Sequence, residues 1–117
     1  ARLLDAVNRP NLKIIWDPAN AFVAGEDPAR GFAQVQGSIV DVHCKDARLD
    51  NEETGRTSWA RIGDGETDWA TQLRLLESDP VDVLTIETHW HPDGRDRADN
   101  TGDTFASLKH LLGVQDK

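Results

Sequence analysis

Asp17, His43 and Glu87 each close a short apolar run, in "KIIWD", "IVDVH" and "VLTIE". A carboxylate, an imidazole and a second carboxylate supply the mixed oxygen and nitrogen donors that suit Mn²⁺, Mg²⁺, Co²⁺ or Zn²⁺. No cysteine pair is present, which argues against a structural zinc site. With three ligands the centre would be open, and water, substrate or a fourth protein group would complete it. Taken singly, each residue has a plain alternative: Asp17 as a turn former, His43 as a hydrogen-bonded structural histidine, Glu87 as a solvated strand end. Their shared placement at the ends of apolar runs favours the joint, functional reading.

The elements that would hold them follow from local pattern. "LLDAV" (3–7) has helical spacing and runs into the turn "NRPN", so it reads as the tail of a helix. Residues 12–17, 38–43 and 81–87 are short, apolar and rich in β-branched residues, and predict strands. "DPAN" is read as the turn that closes the first strand. In 27–37, Asp27 is a cap, Pro28 occupies the first helical position and Gly37 is the stop. From Asp68, which caps the start, Trp69, Leu73 and Leu76 share one face and predict a second helix. The last helix is expected near 104–113, with an apolar stripe of Phe105, Leu108, Leu111 and Leu112 and a stop at Gly113. Residues 44–67 are polar and turn-rich, a loop long enough to cover or carry a site. Strand–helix alternation of this kind predicts a parallel sheet with helices packed on it, in an α/β fold.

The C-terminal ends of parallel strands are where such folds build sites, because a rigid strand meets loops that can surround a ligand. Position along the chain and chemical type therefore agree for Asp17, His43 and Glu87. Trp16 and Cys44, one residue away in strand parity, point to the opposite, helix-covered face.

Gross properties narrow the partners. The chain has 117 residues and a formal charge of −8, from 21 acidic and 13 basic residues, which disfavours nucleic acid. No stretch approaches the roughly 20 apolar residues of a membrane helix, and no signal-peptide layout opens the chain. One cysteine cannot form an internal disulfide, which fits a reducing, cytoplasmic setting. The sequence starts at Ala1 and contains no methionine, so the expectation is either that something was removed or that it is part of a longer protein.

The motifs "WDPAN", "VHCKDA" followed by "IGDGETDW", and "TIETHW", in that order, resemble the xylose isomerase-like TIM barrels, a family of sugar isomerases, epimerases and related enzymes. The resemblance spans residues 12–113. It implies an eight-stranded barrel holding a divalent metal through Glu, Asp, His and Glu at separate strand ends. Asp17, His43 and Glu87 match the last three ligands, while the first Glu has no counterpart here. A barrel of about 250 residues allots roughly 31 to each strand–helix unit. Residues 1–117 are accordingly expected to form one partial barrel, its C-terminal part: a helix tail and three strand–helix units. Three such units would leave an open sheet edge and an uncovered apolar face, calling for the missing N-terminal barrel half or for self-association.

The resemblance further implies proton transfer beside a sugar carbonyl through an enediolate, with Glu87 as a proton carrier and a sugar or sugar phosphate as substrate. Substrate contacts are expected from Lys45, Asp46, Asn20, His89 and Trp59. The alternatives for Lys45 and Asp46 are a solvated loop pair, and for Trp59 and Trp90 packing anchors. The glycines of "IGDGETDW" are read as turn formers, and His91 and His110 as surface residues. A related branch of DNA-repair endonucleases would carry His, Asp and His where Asn20, Thr57 and Trp59 stand, so that branch is disfavoured. A chain with no activity of its own, needing a partner, is the remaining reading.

Overall fold

A computed structural model describes residues 2–114, with side chains from residue 3 onward. In chain order the elements are α1 (Arg2–Val7), β1 (Ile14–Trp16), α2 (Pro18–Val23), α3 (Pro28–Val35), β2 (Ile39–Cys44), β3 (Asp46–Asn51), β4 (Arg56–Ala60), α4 (Trp69–Ser78), β5 (Val83–Ile86) and α5 (Arg97–Leu111). β1, β2 and β5 form a three-stranded parallel sheet in that order, with the only irregularity in its register between Ile14 and Ile15. The sheet and its helices make the parallel α/β arrangement that the strand–helix alternation predicts and the partial TIM barrel that the family resemblance implies.

Four helices start on an aspartate whose side chain accepts a backbone N–H of the first turn: Asp17 before α2, Asp27 before α3, Asp68 before α4 and Asp96 before α5. The same Asp-Pro pair opens both α2 and α3. "DPAN" is therefore not merely the closing turn of β1 but the first turn of a helix, and only the second Asp-Pro was expected to start one. α5 begins at Arg97, well before the expected 104. Of its expected stripe, Leu108 is buried, whereas Phe105, Leu111 and Leu112 are exposed.

The polar segment 44–67 is not a bare loop. β3 and β4 pair antiparallel from Asp46↔Ala60 to Asn51↔Arg56. The turn between them is held by Asn51 Oδ1, which accepts the Thr54 N–H at 2.8 Å, and by Gly55 at φ 66°.

The core lies between the sheet and the helices. Val42 and Cys44 of β2 meet Phe32, Ile62, Trp69, Leu76 and Leu108, with Trp16, Leu84 and Ile86 packed against them. Trp16 donates to Gln72 Oε1 at 3.0 Å and stands edge-on to Phe32. Gly31 is small for this reason, since a Cβ there would lie 2.7 Å from the Trp16 ring. Cys44 is fully buried, and loss of solvation pushes its thiol up to about 12. At pH 8 the native protein is expected to resist iodoacetamide, with rapid labelling only after denaturation. Native labelling at the rate of a free thiol would contradict this burial.

The other face of the sheet carries Ile15, Asp41 and Val83 in one row, with His43 and Thr85 above it. Ile15 is 55% and Val83 48% exposed, so the expected uncovered apolar face is present, and among the described residues β1 and β5 each have no outer strand partner. Thr85 donates to both oxygens of Asp41, at 3.0 and 2.9 Å. Among the described residues, no helix is long and apolar enough to cross a membrane.

Candidate metal centre

Asp17 follows β1, His43 is near the end of β2 and Glu87 follows β5, all on the uncovered face by strand parity. One ligand atom from each lies within 4.8 Å of the others. His43 Nδ1 is 3.2 Å from Glu87 Oε2. The two oxygens of Asp17 have separate tasks. Oδ1 accepts the Asn20 N–H at 2.8 Å and caps α2, while the buried Oδ2 makes no aligned hydrogen bond. The turn-forming and the site-facing readings of Asp17 are thus compatible.

Lys45, next on the same face after His43, is neither solvated nor loosely placed. Its side chain is 4% exposed, and Nζ lies 2.9 Å from Asp17 Oδ2 and 2.5 Å from Glu87 Oε2. Burial alone would lower its pKa, but the hydrogen bond to Glu87 and the ion pair with Asp17 outweigh it and hold the ammonium above its ordinary value. Reciprocally, the Lys45 hydrogen bond draws Glu87 down to about 2, helped by His89. The contact to Asp17 Oδ2 is electrostatic more than directional, and it already pairs that oxygen with a cation, the Lys45 ammonium. A buried carboxylate oxygen that pairs with an ammonium, beside a nitrogen and a second carboxylate, is a place that attracts cations, and the donor set fits a divalent ion.

The β3–β4 hairpin supplies the wall. Trp59 on β4 has its ring 4.9 Å from that of His89 and 5.1 Å from Lys45 Nζ. His89 Nε2 is 3.3 Å from Glu87 Oε1, so the two Glu87 oxygens face different partners. A cleft beside this cluster is lined by Arg48, Ser58, Trp59, His89, Trp90, His91 and Pro92. Arg48 and Ser58 stand on strands inside 44–67, whose polar, turn-rich composition predicts a loop. The alternation in "RTSWA", with a glycine-ended turn before it, is the signal that places them on a strand.

Asp46 and Asn20, expected at the substrate, are placed differently. Asp46 is 1% exposed and turned into the protein. Its Oδ1 accepts from the Ala47 and Thr67 N–H groups at 2.8 and 3.2 Å, and its Oδ2 from Gly63 and Gly65 at 2.9 and 3.1 Å. A carboxylate so fully engaged binds its own chain, and it pins "IGDGET" against the hairpin. Gly65 makes room for it, since a Cβ there would come within 2.3 Å of Asp46 Oδ1. Asn20 is exposed on α2, and the contact it makes with Asp17 is through its backbone. His91, exposed, meets Asn100 Nδ2 at 3.2 Å, and His110 is exposed on α5.

Parallel strands whose C-terminal ends bring together a carboxylate, an imidazole and a carboxylate define a barrel-type α/β protein. The profile of the family described as "Xylose isomerase-like TIM barrel" matches residues 1–111, and the chain belongs to that family. No curated protein matches. Among solved structures, a xylose isomerase domain protein from Planctomyces limnophilus is 28% identical with a TM-score of 0.76, over 96% of this chain and 40% of that one. A probable 3-DHS dehydratase, AsbF, involved in petrobactin synthesis in Bacillus anthracis, is 20% identical with a TM-score of 0.70, over 98% of this chain and 43% of that one. A xylose isomerase domain protein from Alicyclobacillus acidocaldarius is 21% identical with a TM-score of 0.70, over 96% and 41%. The latter two show likeness of fold. The chain thus spans about two fifths of the length of the structures it matches.

Proposed function

We propose that residues 1–117 form one partial barrel of a divalent-metal-dependent sugar isomerase or epimerase, holding Asp17, His43 and Glu87 as three of its ligands. The observation that carries this reading is the approach of those three donors to within 4.8 Å at the ends of separate parallel strands. Mn²⁺, Mg²⁺, Co²⁺ and Zn²⁺ all suit the donor set. Such an ion, when bound, polarises neighbouring carbonyl and hydroxyl oxygens of a sugar and lowers the cost of an enediolate.

The residues of this chain divide the remaining work. Glu87 is the carboxylate placed to take the proton from the carbon beside the carbonyl; the Lys45 contact that draws its pKa down to about 2 weakens it as a base, so that contact has to be released for the transfer. His89 holds its Oε1 and so orients the carboxylate. Trp59 presents an indole face on which an apolar sugar face can stack, and the Arg48 guanidinium offers donors farther along the cleft to a sugar or sugar phosphate. A second proton carrier and a fourth ligand would come from the rest of the barrel. Removal of a proton beside a carbonyl also begins a dehydration, so the same residues would serve that outcome. The reading places the protein in the cytoplasm, away from nucleic acid and membrane.

The complete Mn²⁺-loaded barrel, incubated in D₂O with a panel of keto sugars and polyol ketones, is expected to place deuterium beside the carbonyl of at least one. No exchange, interconversion or dehydration across the panel would remove the enzyme reading. Residues 1–117 alone are expected to be inert until the open sheet edges are completed by the missing barrel segment or by another copy. Turnover by the 117-residue chain as a monomer would contradict that part.

A further inference from the structure

The position of Lys45 has a consequence for how the centre fills. Its ammonium lies between Asp17 Oδ2 and Glu87 Oε2, two of the three atoms that the metal reading assigns to the ion. The Lys45 backbone is fixed there, because its carbonyl accepts the buried Trp69 Nε1–H at 3.0 Å. We infer that Lys45 is an internal counter-ion that holds the metal-free ligands together and must be displaced from Asp17 and Glu87 for a divalent cation to bind; this rests on the proposed metal centre.

Charge decides the direction of the exchange. Two ligand carboxylates around one ammonium leave one negative charge uncompensated, whereas a divalent ion compensates both. The ammonium and the ion cannot share the same oxygens, since two cations within a few ångströms repel strongly in a partly buried site. Lys45 therefore yields when the ion is present and returns when it leaves. The Trp59 ring, 5.1 Å from Nζ, offers a nearby resting place through its π face. In the metal-free protein Lys45 prevents the repulsion that would drive Asp17 and Glu87 apart. It acts as a positioning residue, at some cost in metal affinity.

Titration of Mn²⁺ into wild type, Lys45→Met and His43→Ala, followed by the signal of free Mn²⁺ in electron paramagnetic resonance, tests this. Lys45→Met keeps the length of the side chain without its charge, and is expected to lower the Mn²⁺ Kd by tenfold or more. Acetylation of the wild-type chain, read by peptide mass spectrometry, needs no variant to fold. Saturating Mn²⁺ is expected to raise the labelling rate of Lys45 severalfold and leave that of exposed Lys13 unchanged. An unchanged or higher Kd in folded Lys45→Met, or unchanged Lys45 labelling with bound Mn²⁺, overturns the inference. If His43→Ala binds Mn²⁺ as wild type does, the metal centre itself is wrong. If His43→Ala loses Mn²⁺ while Lys45→Met matches wild type, only the role of Lys45 fails.

Discussion

Replacing His43 by alanine is expected to weaken Mn²⁺ binding by at least about 100-fold while the fold persists. His43 supplies the sole nitrogen donor of the three, and its ring meets Glu87 Oε2 at 3.2 Å. Loss of groups that merely orient metal ligands costs about 10- to 100-fold, so loss of a ligand should reach the upper end or beyond. The remaining Asp17 and Glu87 would still attract cations, but they are already bridged by Lys45. The side chain of His43 is 29% exposed and lies outside the packed cluster around Val42 and Cys44, so truncation opens no core cavity. Free Mn²⁺ measured against added protein gives the affinity, and circular dichroism shows that the variant is folded. Affinity equal to wild type would remove His43 from the centre.

Asp46→Ala is expected to act on stability instead, with a loss of roughly 3–5 kcal/mol. The Asp46 carboxylate accepts four backbone N–H groups, from Ala47, Gly63, Gly65 and Thr67. Each hydrogen bond to a charged group contributes about 1.5–3 kcal/mol, and such contributions do not simply add. Truncation leaves those donors without the acceptor around which the segment is folded, although water entering the gap recovers part of the loss. Asp46→Asn should behave similarly, because an amide nitrogen placed against two N–H groups cannot accept from them. A thermal midpoint lowered by more than about 10 °C is the expected result for a chain of this size. A midpoint within a degree or two of wild type would show that the carboxylate is dispensable.

The contrast between neighbouring residues 45 and 46 shows where sequence reading stops. Both are charged, both follow the His43 ligand position, and both were expected near substrate. Lys45 has the strand parity of Asp41 and His43 and lies on the uncovered face, whereas Asp46 turns inward because "IGDGET" folds back over it. That return depends on Gly65, whose lack of a Cβ permits an approach that no other residue would allow. The hairpin was missed for a related reason. Its strands are polar on their outer face, and their pairing becomes visible only when β3 and β4 are set side by side. α2 is masked in the sequence by a local ambiguity, since Asp-Pro can end a strand and begin a helix in the same four residues.

The sequence by itself determined the three apolar strands, their parallel α/β arrangement and the donor residue that closes each. These are local properties: β-branched runs, cap chemistry and alternation are written within a few residues of one another. The tertiary structure alone decided that the donors meet, that one oxygen of Asp17 caps a helix while the other faces the cluster, and that Lys45 bridges two carboxylates. It also decided that Trp59 and His89 wall the cleft while Asp46 holds the loop. Those outcomes depend on the register of β1, β2 and β5 and on the fold of residues 46–67, where groups up to 70 positions apart, such as Asp17 and Glu87, are brought within ångströms of each other. Spacing along a chain carries no such distances until the sheet pairs.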